Sequence, residues 1–131
     1  MTKFQALFQE FNDAVARLEE VLREPKTEFM RDSAIKRFEL SFDLSWKLIK
    51  ASLEEKGVVC TSPIGCFKEA YRQGLIEYEE IWVKLTETRN KTVHTYDEKL
   101  AEVIYAGLSD ALVAFQKLNE ALGKAAEENL K

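Results

Sequence analysis

The side chains best suited to chemistry lie in one short stretch, residues 89–96, which we call the motif segment; it reads Arg-Asn-Lys-Thr-Val-His-Thr-Tyr. His94 is the only histidine among 131 residues. Histidine is the side chain whose ordinary pKa lies nearest neutrality, so acid–base chemistry has one obvious location. The guanidinium of Arg89 could bind a phosphate with two parallel N–H groups, and the hydroxyl of Tyr96 could donate, accept or be modified.

A purely structural role for the motif segment is the competing interpretation. Arg89 could pair with a carboxylate, and His94 could cap a helix or bond to a backbone carbonyl. Because one arginine and one histidine at this spacing are common, the local sequence alone favours the structural interpretation. The nucleophile elbow of a Ser-His-Asp hydrolase and a glycine-rich phosphate-binding loop are both absent from the sequence, which excludes these two kinds of site.

The two cysteines, Cys60 and Cys66, flank a stretch that contains Pro63 and Gly65. Their spacing matches neither a zinc-binding pair nor a redox Cys-x-x-Cys motif. We expect two free thiols in a reducing compartment. With one histidine and two cysteines, a single chain could not assemble a usual zinc site without carboxylates, so we predict no bound metal and no cofactor.

The composition limits the class of protein. A chain of 131 residues fits one domain. A net charge of −4 argues against a protein that coats RNA, because such binding depends on positive charge along the phosphate backbone. A local positive cleft, built by one chain or by a dimer, is still allowed. The sequence has no run of ~20 apolar residues and begins without a signal peptide, so we predict a cytoplasmic protein that does not enter a membrane.

Apolar residues at spacings of three and four predict a first helix that ends at Pro25; they are Phe4, Phe8, Phe11, Val15, Leu18 and Leu22. Within residues 26–56, apolar and polar residues alternate over part of the segment, as they do in a strand. The segment lacks Gly and Pro, however, and its flanks are rich in helix-forming residues. These features favour a second helix that ends at Gly57. One apolar face of that helix would hold Phe38, Phe42, Trp46, Ile49 and Leu53, and the opposite face Leu40, Leu44 and Leu48. Both faces must be covered, by the rest of the bundle or by another subunit.

Three further helices are predicted. A short third helix begins with Ser62 as N-cap and Pro63 in its first position, and it ends at Gly74. The fourth helix contains Tyr78, Ile81, Trp82 and Leu85, and a long last helix contains Leu100, Ile104, Leu108, Ala111, Phe115, Leu118 and Leu122. The predicted fold is an all-α, antiparallel up-and-down four-helix bundle with an additional short helix, which we expect to dimerise. Residues 1–123 would form this single domain, and residues 124–131 a frayed tail.

These helices determine where the motif segment lies. Arg89 falls on the same face of the fourth helix as Trp82 and Leu85, so its guanidinium should point into the bundle. Residues 97–98 are acidic and suit the first turn of the last helix, where the helix dipole favours acids. The motif segment therefore spans the junction of two helices, and Arg89 and His94 could face a common cleft.

Three blocks of sequence carry a resemblance to a known family. They are Arg37-Phe38-Glu39-Leu40-Ser41-Phe42-Asp43-Leu44-Ser45-Trp46-Lys47, then Ser62-Pro63 through Lys68-Glu69-Ala70-Tyr71 to Gly74-Leu75-Ile76, and the motif segment with its Arg-x4-His-x-Tyr pattern. In this order they resemble the HEPN superfamily, specifically the nucleotidyltransferase substrate-binding proteins, which are small helical partners of minimal nucleotidyltransferases. The resemblance covers most of the chain.

The resemblance implies a helical bundle that dimerises, with the motif segments of both chains lining a shared cleft that could hold RNA or a nucleotide. Arg89 would be the phosphate clamp and His94 the acid–base group, and these are the two catalytic candidates. Asn90 and Thr95 would be supporting polar groups in substrate binding. Tyr96 would join them in nucleotide binding and would be the acceptor of AMP.

The resemblance leaves two functions of different class. The first is a binding module: the partner or substrate-binding subunit of a separately encoded minimal nucleotidyltransferase, in a two-gene pair of the toxin–antitoxin kind. The second is a metal-independent ribonuclease toxin that uses Arg89 and His94 and is silenced by adenylylation of Tyr96. A third, structural interpretation is a helical dimer whose motif segment only holds a helix junction. The acidic net charge favours the binding module, which we expect, while the intact motif segment keeps the ribonuclease open.

Overall fold

The computed structural model describes the backbone of residues 1–129 and the side chains of residues 1–125. Within that part the chain is helical and contains no strand, which confirms the predicted all-α class. In chain order the elements are α1 Lys3–Arg23, α2 Glu28–Glu55, α3 Pro63–Arg72, α4 Glu80–Lys91, a 3₁₀ turn Thr92–His94, α5 Glu98–Ala106 and α6 Leu108–Asn129. None of these helices is long and apolar enough to cross a membrane.

α1 forms as predicted because its start is capped and one face is buried. The hydroxyl of Thr2 accepts a hydrogen bond from the Gln5 N–H at 3.0 Å, and the Gln5 side-chain oxygen accepts one from the Thr2 N–H at 2.8 Å. This reciprocal pair satisfies N–H groups that the helix itself leaves free. The buried positions are Phe4, Phe11, Val15 and Leu18. The helix ends at Arg23 because Pro25 favours extended backbone at the residue before it, Glu24.

α2 is a helix despite its strand-like alternation, and it is the central element, since it contacts α1, α3, α4, α5 and α6. Its predicted main face is half-buried at Trp46 and buried at the other positions, which are Phe38, Phe42, Ile49 and Leu53. On the opposite face Leu48 is buried, Leu44 is half-buried and Leu40 is 41% exposed. The bundle itself therefore covers most of the second face, and the dimer stays a prediction.

Cys60 and Cys66 form a disulfide, so the prediction of two free thiols is wrong. α2 ends where Gly57 takes a left-handed φ of 79°. Ser62 then caps α3 as predicted, by accepting a hydrogen bond from the Gly65 N–H at 3.1 Å. This short connection brings the two cysteine Cα atoms to 5.1 Å, within the span of a disulfide. The prediction was based only on the cysteine spacings of metal sites and redox motifs. It did not take into account that the turn before α3 brings the two cysteines close together.

The predicted long last helix is in fact two helices, α5 and α6, separated at Gly107. The Gly107 N–H donates to the Ile104 carbonyl at 3.0 Å, which is a tighter turn than an α-helix makes. Glycine also weakens a helix interior. The apolar spacing continues from Ile104 to Leu108 across the break, so periodicity could not reveal it.

The helical part of the chain is longer than predicted. α6 continues past Gly123 to Asn129, through most of the stretch in which we expected a frayed tail. Residues 130–131 of that predicted tail lie outside the described residues.

Aromatic side chains at the centre of the bundle fix the position of α4, the helix that carries Arg89. The ring of Trp82 on α4 stacks on Phe67 of α3, with centroids 4.7 Å apart, and lies 5.9 Å from the ring of Phe115 of α6. All three rings are buried, and aromatic pairs at these separations add to the stabilisation from burial. The core therefore determines where the last turn of α4, and with it the motif segment, lies.

Candidate functional site

The motif segment crosses the junction between α4 and α5. Its first three residues end α4, the next three form the 3₁₀ turn, and Asp97 follows as the N-cap of α5. The Thr92 hydroxyl donates to the Arg89 carbonyl at 2.7 Å, which closes the last turn of α4, and the Thr92 side chain is buried. One oxygen of the Asp97 carboxylate accepts hydrogen bonds from the Lys99 and Leu100 N–H groups in the first turn of α5, at 3.0 and 3.2 Å. Both ends of the segment are thus held by local hydrogen bonds.

The guanidinium of Arg89 is held by α2. Its Nε and Nη2 atoms donate to the two carboxylate oxygens of Asp43 at 3.1 and 3.2 Å. Nη1 donates to the Thr92 hydroxyl at 3.0 Å and lies 3.9 Å from a carboxylate oxygen of Glu39. The Arg89 side chain is 25% exposed, so it lies against the bundle. The hydrogen bonds to Asp43 are the main reason that the pKa of Arg89 is raised above its ordinary value.

This pair matches the structural interpretation of Arg89. The same forked geometry binds a phosphate, so a phosphate at this site must share the guanidinium with Asp43 or displace it. Asp43 was not among the predicted site residues, although it stands in the first block of the resemblance. Only the fold brings it to Arg89, which lies 46 residues later in the chain.

His94 and Tyr96 form the second part of the site. His94 Nδ1 lies 3.2 Å from the Tyr96 hydroxyl oxygen, and the two rings meet edge to face with centroids 5.8 Å apart. Both side chains are exposed, Tyr96 to 81%. The side chain of His94 therefore contacts a hydroxyl rather than the backbone carbonyl that the structural interpretation expected.

The two parts are adjacent in the chain but not bonded to each other. Within the described residues no hydrogen bond or ion pair joins Arg89 to His94. Asn90 is exposed at the end of α4, and Thr95, which lies between His94 and Tyr96 in the chain, is half-buried. The structure thus groups Arg89 with Asp43, and His94 with Tyr96.

A second cluster anchors the start of α5, directly after the motif segment. Arg31 of α2 has a side chain only 4% exposed, and it donates to Glu98 at 2.8 Å and to Glu102 at 3.0 Å. Lys26 also bonds to Glu102. The pKa of Arg31 is raised, first by Glu98 and then by Glu102, and the pKa of Glu102 is lowered, first by Lys26 and then by Arg31. This cluster could not be predicted, because its members lie far apart in the chain and form no recognisable spacing.

The chemistry open to the site follows from its two parts. An exposed hydroxyl beside an imidazole nitrogen is the arrangement of a nucleophile and its base. The guanidinium of Arg89 is a cation held in place by the Asp43 carboxylate, and it can orient a phosphate only by sharing or releasing that carboxylate. Within the described part of the chain, no group of three or more His, Cys, Asp or Glu side chains is placed to hold a metal ion.

Residues 6–124 match the family described as nucleotidyltransferase substrate binding protein like. The Haemophilus influenzae protein named probable ribonuclease HepT is 37% identical over 95 residues, which cover 68% of this chain. The match spans 64% of the length of that relative.

Two solved structures share the fold. A crystal structure of a Thermus thermophilus protein has a TM-score of 0.79 at 34% identity, over 87% of this chain and 97% of that one. A Haemophilus influenzae structure that reveals the fold of a substrate binding domain of a nucleotidyltransferase has a TM-score of 0.69 at 28% identity, over 91% of this chain and 96% of that one. The helical arrangement is therefore shared along nearly the whole length of both proteins.

Proposed function

This chain belongs to the nucleotidyltransferase substrate binding protein like family, and from that premise we propose that it is the partner subunit of a separately encoded minimal nucleotidyltransferase, in the cytoplasm. In this role it presents Tyr96 to the enzyme as the acceptor of AMP. The observation that carries the proposal is the position of Tyr96, which is 81% exposed at a helix junction. The active site of a second protein can reach its hydroxyl there without unfolding the bundle.

The surface beside Tyr96 suits a protein partner. Val93, in the 3₁₀ turn of the same segment, is 66% exposed. Two large apolar side chains exposed in one short segment give a partner an apolar centre to cover, and aromatic residues are common among the residues that dominate binding energy.

The binding test uses co-expression with a minimal nucleotidyltransferase from the same organism. We expect the tagged chain to retain this enzyme through purification, and light scattering to give the mass of a complex. Val93→Asp should weaken the complex about tenfold or more, because it places a charge in the apolar centre of the contact. Val113→Asp is the matched control, because Val113 is also exposed but lies on α6. Absence of a complex with the wild-type chain would overturn the proposal.

We also propose that the chain forms a homodimer, with RNA or a nucleotide bound at a cleft to which both motif segments contribute. Support comes from Leu40, the member of the second α2 face that stays 41% exposed. Light scattering at micromolar concentration should give twice the mass of one chain, and Leu40→Lys should shift it toward the monomer. A wild-type monomer at that concentration would refute the dimer.

A second candidate function, a metal-independent ribonuclease, is favoured by the name of the 37% identical relative, probable ribonuclease HepT. His94 would take the 2′-hydroxyl proton or protonate the leaving oxygen, and Arg89 would stabilise the charged phosphorane. Arg89 would first have to share or release Asp43. RNA cleavage in the presence of EDTA, lost in Arg89→Ala and His94→Ala and retained in Val93→Ala, would establish this activity.

A further inference from the structure

The Tyr96 hydroxyl is a weak nucleophile unless something removes its proton. The transfer of a nucleotidyl group to such a hydroxyl therefore gains from a base within hydrogen-bond reach.

His94 is placed as that base. Its Nδ1 atom lies 3.2 Å from the Tyr96 oxygen. A phenol has one hydrogen to donate, so the natural arrangement is an O–H donor toward an unprotonated Nδ1, with the imidazole proton on Nε2. The exposure of both side chains leaves the hydroxyl open on its other side to an incoming phosphate.

No carboxylate in the described structure offers an equivalent contact. Asp97 is the acid nearest to Tyr96 in the chain, and one of its oxygens accepts two backbone N–H groups as the cap of α5. Asp43 is committed to Arg89. The contact with His94 is the hydrogen bond that the Tyr96 hydroxyl makes within the described residues.

We propose that His94 is the general base for nucleotidyl transfer to Tyr96, an inference that rests on the proposed function. The phenol oxygen attacks the α-phosphorus of a nucleoside triphosphate held by the partner enzyme. The new bond joins the Tyr96 oxygen to that phosphorus, the bond from the α-phosphorus to the bridging oxygen breaks, and pyrophosphate leaves. The phenol proton passes to His94 Nδ1, and the imidazolium then returns it to water.

The role of general base predicts different effects for the loss of His94 and the loss of Arg89. In the ribonuclease candidate the two residues act on one RNA phosphate, and both are essential. In nucleotidyl transfer the triphosphate is bound by the partner, and of these two residues it is His94 that contacts the attacking oxygen. Loss of His94 should therefore slow the modification far more than loss of Arg89.

The experiment measures the rate of AMP addition with the wild-type chain, the partner nucleotidyltransferase and ATP, by intact mass with peptide mapping to Tyr96. His94→Ala should slow the reaction by about 10²-fold or more, the usual contribution of a general base. Added imidazole should restore a substantial part of the rate, because the vacated position is open to solvent. Lys91→Ala is the matched control, because Lys91 is the exposed last residue of α4, directly before the 3₁₀ turn. Circular dichroism reports that each variant stays helical.

The outcomes separate the inference from the proposed function. If His94→Ala is modified at the wild-type rate, or if imidazole restores nothing, His94 is not the base, although the partnership stands. If the wild-type chain forms the complex but Tyr96 is never modified, the acceptor role of Tyr96 and this inference both fail. Absence of the complex itself overturns the proposed function.

Discussion

Arg89 and Asp43 form a forked ion pair between α4 and α2, with Nε and Nη2 of the guanidinium 3.1 and 3.2 Å from the two carboxylate oxygens. The residue that resembles a phosphate clamp is thus already bound by an acid of the same chain. The pair holds the guanidinium in place, and it also lowers the charge that a phosphate would meet. We therefore expect Asp43 to limit what Arg89 can bind.

Replacing Asp43 with Asn should strengthen the binding of phosphate-containing ligands. The change keeps the size of the side chain but removes the charge that opposes a phosphate at Arg89, so we expect several-fold tighter binding of a short single-stranded RNA by fluorescence anisotropy. The free energy of unfolding should fall by less than about 1 kcal/mol, because the pair is partly exposed and screened. The double variant Asp43→Asn/Arg89→Ala should lose the gain. Equal or weaker binding by Asp43→Asn would show that Asp43 does not compete with the ligand.

The disulfide predicts that the native chain has no reactive thiol. Without a reductant, neither Cys60 nor Cys66 should be alkylated by iodoacetamide, whereas both should react after reduction. Closure of this short loop restricts the unfolded chain, so Cys60→Ser/Cys66→Ser should lower the free energy of unfolding by about 2 kcal/mol in urea titrations. Alkylation of both cysteines in the unreduced native protein would contradict the disulfide and would show that both thiols are free.

Arg31 should stabilise the start of α5 more than an exposed arginine could. Arg31→Met keeps an unbranched side chain but removes both hydrogen bonds to α5, those to Glu98 and Glu102. We expect the melting temperature to drop by several degrees, and amide hydrogen exchange to accelerate in α5 and the motif segment. Arg23→Ala is the control, because the pair of Arg23 with Glu19 lies on the surface and should contribute little. Similar melting temperatures for the two variants would contradict an anchoring role.

Glu102 should make the chain sensitive to acid. Its pKa is lowered in the folded protein, first by the hydrogen bond from Lys26 and then by that from Arg31. Because the pKa of Glu102 is lower in the folded protein, its ionised carboxylate stabilises the fold at pH values above the unfolded pKa of 4.5. This stabilisation is lost as the pH falls through the pKa of the folded protein. The melting temperature of the wild type should therefore decline below pH 4.5, and that of Glu102→Gln should decline less. Parallel curves for the two proteins would exclude Glu102 as a contributor.

Local patterns in the sequence were sufficient for most of the helices. Spacings of three and four, the Ser62 cap and the glycines at 57 and 74 mark helix faces and ends that depend on neighbouring residues alone. The break at Gly107 was not predicted, because the apolar spacing continues across it. A single glycine is tolerated in many helices, so its effect depends on tertiary packing.

The partners of the site residues could not be predicted for a different reason. Asp43 meets Arg89 and Arg31 meets Glu98 across 46 and 67 residues of chain, and charge alone does not select such pairs among 19 basic and 23 acidic residues. The contact between His94 and Tyr96 is local, yet it depends on the 3₁₀ turn that the spacing did not indicate. The motif segment was visible in the sequence, whereas its division into two parts depends on the fold.

The role of Tyr96 is tested most sharply by the intact mass of the chain after incubation with the partner nucleotidyltransferase and ATP. We predict that the mass rises by one AMP group, that the modification maps to Tyr96, and that Tyr96→Phe, still in complex with the enzyme, gains nothing. An unmodified wild-type chain, or an equal adduct on Tyr96→Phe, would contradict the role of Tyr96 as the acceptor presented to a partner enzyme.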